Sequence, residues 1–97
     1  VTDAKQDSAM NWQVYIILCS DDSLYTGITI DAQRRIAQHI AGAGAKYFRG
    51  RQPRCLVYLE NNHERSSASR REAQIKKLRR EDKQRLIASS DNQLEKR

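Results

Sequence analysis

From Trp12 to Cys19 (WQVYIILC) the chain is aromatic or β-branched and apolar almost without a break after Gln13. That pattern suits a strand covered on both faces, and so a central one. Ser20-Asp21-Asp22-Ser23 is a turn cluster. From Leu24 to Ile30 the sequence sets Leu24, Thr26, Ile28 and Ile30 against Tyr25, Gly27 and Thr29, which predicts a hairpin partner. Pro53 ends the next segment, and Arg54 to Glu60 (RCLVYLE) reads as a third strand. Helical spacing occupies the rest. Asp31 is placed to cap a helix running to about Ala41, stopped by Gly42, with Ile36, Ala37 and Ile40 as its buried stripe. Ala45 to Gly50 (AKYFRG) predicts a short helical turn. The longest helix signal runs from about Ser66 to Arg80, with Ser66 or Ser67 as cap, Ala68, Ile75 and Leu78 as stripe, and Glu72 at its edge. Asp82 to Ala88 is a last short helix that adds Leu86 and Ile87 to the core. The class is α/β (α+β), with one domain over residues 12–88. Residues 1–11 and 89–97 lack periodicity and are expected to be loose tails.

Composition narrows this picture. Ninety-seven residues at 38% apolar allow one small core. Cys19 and Cys55 both fall in apolar runs without His or Cys neighbours at metal-ligand spacing, so both are expected as small buried hydrophobes in a reducing compartment. No stretch reaches the roughly 20 apolar residues of a membrane span, and the first eleven residues have no apolar core of a secretory signal. A cytoplasmic protein is the default expectation.

Charge adds a partner class. The net charge is +6, eighteen Lys and Arg against twelve Asp and Glu. Lys46, Arg49, Arg51 and Arg54 form an acid-free run, and a second basic block from Arg65 to Arg85 contains only Glu72, Glu81 and Asp82 as acids. Clustered cations suit a polyanion such as nucleic acid, the plainer alternative being a solvated basic surface. Tyr47 and Phe48, set among these cations, are placed either to stack on bases or to pack on the sheet.

The chemistry-bearing residues are Tyr15, Tyr25, Arg35, His39 and Glu72. Arg35 and His39 stand at i and i+4, on a face apart from the predicted stripe. Taken singly, each has a plain reading as a surface charge or a half-buried helix histidine. Glu72 beside a buried stripe needs a partner, either an ion pair with Arg71 or Lys76 or a bound metal. Whether the two tyrosines share a face depends on the hairpin. A two- or four-residue loop centred on Asp21-Asp22 puts them on opposite faces, whereas an odd loop or one bulge puts them together. Asp-Asp is a poor two-residue turn, and the sequence leaves the parity open.

These residues, at these spacings, resemble the GIY-YIG nuclease superfamily, and within it the small stand-alone bacterial YhbQ-like group. The tripeptides fall on Gln13-Val14-Tyr15 and Tyr25-Thr26-Gly27, the arginine on Arg35, the helix histidine on His39, and the glutamate on Glu72 within SRREAQIKKL. GAKYFRGRQP and LVYLE also resemble the subgroup, and the likeness covers about residues 12–88. The first glycine of the motif is Gln13 here. Ile28 stands where the nuclease domain of UvrC has a lysine, and Asn92 falls in the expected tail.

The resemblance implies a small three-stranded antiparallel sheet flanked by three to five helices. It implies a divalent-metal-dependent DNA endonuclease, selective for structure rather than sequence, in DNA repair or processing, on single-stranded, branched or damaged DNA. Tyr15 would be the general base and Tyr25 its orienting partner, or the reverse. Arg35 would stabilise phosphate charge, His39 would relay a proton or hold a tyrosine, and Glu72 would be the carboxylate on Mg²⁺ or Mn²⁺. Lys46, Arg49, Arg51, Arg71 and Lys76 are the candidate nucleic-acid contacts. The rival reading is a DNA- or RNA-binding module that keeps the fold without cutting.

Overall fold

The computed structural model describes residues 10–42, 48 and 50–94. Element order is β1 (Trp12–Cys19), β2 (Leu24–Thr29), α1 (Ala32–Ile40), β3 (Pro53–His63), α2 (Arg65–Lys76) and α3 (Arg80–Ala88). The three strands form one antiparallel sheet in the order β2-β1-β3. The apolar run of β1 takes the middle position because both its faces are buried. One side holds Val14 and Ile16, packed with Tyr58, Ala68 and Ile75 under α2 and α3. The opposite side holds Tyr15, Ile17 and Cys19 with Ala32 and Ile36 of α1.

The hairpin parity is decided by one backbone conformation. Asp22 has φ 66°, the left-handed region that Asn and Asp tolerate better than most residues. The Asp22 N–H donates to Cys19 O (2.9 Å), and the Cys19 N–H donates to Ser23 O (2.9 Å). Residues 20–22 thus make a three-residue loop closed by a left-handed residue. The resulting register pairs Tyr15 with Gly27 and Ile17 with Tyr25, so both tyrosines lie on the α1 side of the sheet.

Helix α1 begins as the sequence predicts: the Asp31 carboxylate accepts the Arg34 N–H (3.1 Å). Its buried face is different. Ala32, Ile36 and His39 point inward, while Ala37 and Ile40 are exposed. The helix is rolled so that a histidine, rather than Ile40, faces the tyrosines. Helix α2 is capped at Glu64, two to three residues before the expected Ser66 or Ser67, because Ser67 is not the cap but the third helical residue. The Ser67 hydroxyl accepts the Glu64 N–H (3.1 Å). Cys19 is buried as expected, but Cys55 is exposed. It lies opposite Leu18 near the start of the edge strand β3, where the sheet is incompletely covered.

The predicted turn at residues 45–50 lies largely outside the described residues. Residues 92–93, expected to be loose, are bound along the outer edge of β3. Asn92 Oδ1 accepts the Leu59 N–H (3.1 Å), and Asn92 Nδ2 donates to Val57 O (2.9 Å) and Ile87 O (2.8 Å). The Gln93 N–H donates to Leu59 O (2.7 Å) and its side-chain oxygen accepts the Asn61 N–H (2.6 Å). No described helix is long and apolar enough to cross a membrane.

Candidate active site

Tyr15 is the centre of a polar group buried at the edge of the sheet. Its ring passes over Gly27 of the edge strand β2, close enough that a β-carbon on Gly27 would stand 2.5 Å from the phenol oxygen. The motif glycine therefore serves to clear a path for the phenol, since its φ is not in the left-handed region. The Tyr15 hydroxyl lies 3.4 Å from His39 Nε2, and the Arg35 guanidinium lies within its electrostatic reach. Arg35 is itself steadied by donating from a terminal nitrogen to Gln38 Oε1 (3.0 Å).

Tyr25 stands diagonally across the strand pair, its ring centroid 6.3 Å from that of Tyr15 and 5.7 Å from that of His39. Phe48 closes this side at 4.9 Å from Tyr25 and 4.5 Å from His39. The sequence left Phe48 between stacking on bases and packing. Here it packs against both site rings. Gln13, at the position of the missing motif glycine, has a role that no sequence signal announced. Its side chain donates to Asn61 Oδ1 (2.7 Å) and accepts the Ala32 N–H (2.7 Å), tying the start of α1 to β1 and β3.

The electrostatics follow from burial. Tyr15 is 2% exposed, and burial with the neighbouring Tyr25 pushes its pKa up to about 12, against a lowering by Arg35. The Glu72 carboxylate adds to the rise, so it lies within electrostatic reach of the phenol although α2 packs on the opposite face of the sheet. His39 is pushed below the ordinary imidazole value by burial and then by Arg35, which leaves the ring neutral at physiological pH. Its Nδ1 is buried without a hydrogen-bond partner among the described residues.

Tyr15, Tyr25, Arg35 and His39 thus gather around one sheet edge, and the GIY-YIG catalytic domain model matches residues 11–85. The chain belongs to the GIY-YIG family. A UPF0213 protein of Natronomonas pharaonis is 49% identical over 80 residues, covering 82% of this chain and 94% of that one. One of Staphylococcus haemolyticus is 50% identical over 74 residues, covering 76% and 90%. The solution structure of a UPF0213 protein from Bacillus halodurans is similar with TM-score 0.52 and 46% identity, over 81% of this chain and 84% of that chain. A second solution structure, from E. faecalis, gives TM-score 0.54 and 37% identity, over 78% and 81%. The name UPF0213 specifies no activity; the GIY-YIG domain is a catalytic one, and membership implies nuclease chemistry on nucleic acid.

The described basic candidates are each paired with an acid. Lys46 and Arg49 are outside the described residues. Arg51 pairs with Asp21 of the hairpin (3.2 Å). Arg71 pairs with Glu60 of β3 (2.8 Å), in a cluster where Glu60 also accepts from Tyr58 and lies 2.8 Å from His63 Nε2. Lys76 reaches Glu72 one turn back on α2 (3.2 Å). Arg71 thus pairs across to β3, while Glu72 pairs within its own helix.

No group of three or more metal-ligating side chains occurs among the described residues. A half-buried carboxylate whose ion pair is with a mostly exposed lysine still fits a hard cation that keeps most of its ligands from water and phosphate, because Mg²⁺ is often held by one or two carboxylates.

Proposed function

We propose that the protein is a divalent-metal-dependent endonuclease that hydrolyses phosphodiester bonds in DNA, selecting by strand structure rather than base sequence, in DNA repair or processing. One observation carries this reading: the Tyr15 phenol lies over Gly27 at a sheet edge, 3.4 Å from a neutral imidazole and within the field of Arg35 and Glu72.

With a pKa near 12, free phenolate would be present at roughly one part in 10⁵ at pH 7. Tyr15 therefore acts best as a relay. It accepts a proton from the attacking water as it passes its own to His39 Nε2, so no standing phenolate is required. Tyr25 holds the orientation of Tyr15 and His39 through ring contacts. Arg35 meets the non-bridging oxygens of the scissile phosphate, where a permanently charged, forked donor neutralises the charge that builds in the transition state. Glu72 would hold Mg²⁺ or Mn²⁺, which when bound supplies Lewis-acid polarisation of the phosphate. Neutralising Glu72 in this way also removes one of the causes that raise Tyr15.

The test is incubation with single-stranded, nicked and branched DNA in Mg²⁺ or Mn²⁺, with a chelator control. Metal-dependent cleavage of at least one substrate is expected. Binding to all with cutting of none would replace the nuclease by a binding module.

A further inference from the structure

Around the corner of the β2 edge from Tyr15 lies a groove of about 520 Å³. Its floor is Trp12, Ile28 and Ile30, and its wall is Arg34, Arg35 and Gln38 from the exposed side of α1. Ile30 is 58% exposed, and Trp12 is only partly buried against the core. The Arg65 guanidinium lies over one face of the Trp12 ring, 5.6 Å from its centroid, and would have to swing aside or sandwich a base; it brings a third cation to this end. The acid here is Asp31, whose carboxylate already accepts the Arg34 N–H as helix cap. The groove thus combines a flat aromatic, exposed aliphatic surface and a net positive wall, and it shares Arg35 with the Tyr15 site.

We propose that this groove takes an unpaired nucleobase of a single-stranded nucleic acid, from the nucleotide next to the phosphate at Arg35. Trp12 is the stacking platform and Arg34 meets the adjoining phosphate. The assignment rests on the reading of Arg35 as a phosphate contact. The chemistry favours an unpaired base because a base within a duplex has both faces covered by its neighbours and cannot reach an aromatic at a sheet edge. Apolar floor and cationic wall together match a base and its phosphate. A small apolar ligand would leave the arginines unused, and a free phosphate would leave Trp12 and Ile30 uncovered.

Trp12 is the only tryptophan in the chain, so its emission reports on the groove directly. With the full chain in chelator, where cleavage does not occur, oligothymidylate or oligouridylate should quench that emission saturably, and the tighter of the two identifies the strand. A blunt duplex of equal length should leave it unchanged. Trp12→Phe should keep single-strand affinity within a few-fold, while Trp12→Leu, which preserves apolar packing, should weaken it about tenfold by anisotropy. Arg34→Ala should lower the slope of log affinity against log salt by about one. Equal quenching by duplex, or unchanged affinity in Trp12→Leu, would overturn the assignment even if the protein cleaves DNA. Quenching by single strands without cleavage in Mg²⁺ would support the groove and remove the nuclease reading instead.

Discussion

Tyr15 and Gly27 are cross-strand partners in contact so close that the phenol occupies the space a side chain at position 27 would need. Gly27→Ala keeps an accessible backbone conformation and adds one methyl against the Tyr15 ring. Overpacking of this kind costs about 1–3 kcal/mol, and the phenol must move away from His39. The variant is expected to fold with a lowered melting temperature and to lose cleavage at least tenfold, measured on the same preparation. Cleavage at the normal rate would mean that the position of the phenol does not matter.

Glu72→Gln removes the carboxylate charge but not the shape. Cleavage should fall by more than a hundredfold at fixed metal, while DNA binding by anisotropy and the circular dichroism spectrum stay close to those of the parent. Lys76→Ala is the control, because an exposed ion pair at i, i+4 contributes less than about 0.5 kcal/mol. That variant should keep its activity.

Arg71 and Glu60 predict an effect on stability rather than on binding. Burial raises the Glu60 carboxyl, but hydrogen bonds from Tyr58, His63 and Arg71 together outweigh it and hold the group below its ordinary value. Arg71→Ala leaves that carboxylate short of a partner, at a cost of about 1–3 kcal/mol. Urea denaturation should show the loss, and DNA affinity per folded molecule should be nearly unchanged. A large loss of affinity with normal stability would restore Arg71 as a nucleic-acid contact.

His39 sets the acid limb of stability. Its folded pKa lies below the unfolded value of 6.5 because of burial and Arg35, so the unfolded chain binds the proton more readily. Its contribution is complete above pH 6.5 and is lost as the pH falls below it. Glu60, lowered from 4.5, extends the loss to more acid pH. At the alkaline end Tyr15 ionises near 12 when folded against 10 when unfolded, and stability falls across that interval. Urea midpoints measured from pH 4 to pH 8 should decline on the acid side, and His39→Leu should decline less between pH 6.5 and 5. Cleavage by the parent should fall over the same acid range as the imidazole becomes charged.

The sequence made the strands legible where burial is two-sided. Trp12 to Cys19 is a strand at both predicted ends because its apolar run has no other use. What it left open was parity, since the shared face of Tyr15 and Tyr25 depends on whether one residue, Asp22, turns left-handed. The roll of α1 departs from its hydrophobic pattern for a related reason. Hydrophobicity favours Ile40 as a buried residue, yet the helix buries His39, whose partners come from β1 and β2 and carry no local signal. Gln13 was legible only as a departure from the motif. Its two hydrogen bonds reach residues 19 and 48 positions away, beyond any periodicity. Tyr15, Tyr25, Arg35 and His39, which spacing and likeness single out, do come together, whereas three of the cations that charge singles out are held by acids.

The bonds that Asn92 and Gln93 make along β3 act as a stub of a fourth strand. An uncovered outer strand offers its free amides and carbonyls to any other chain, which is how sheets join edge to edge into oligomers and aggregates. By occupying Leu59 and Asn61 from within, these two amide side chains and the backbone beside them turn a sticky border into a finished one. Shortening the chain before Asn92 would leave the chemistry of the tyrosines untouched and hand the molecule a new habit of self-association.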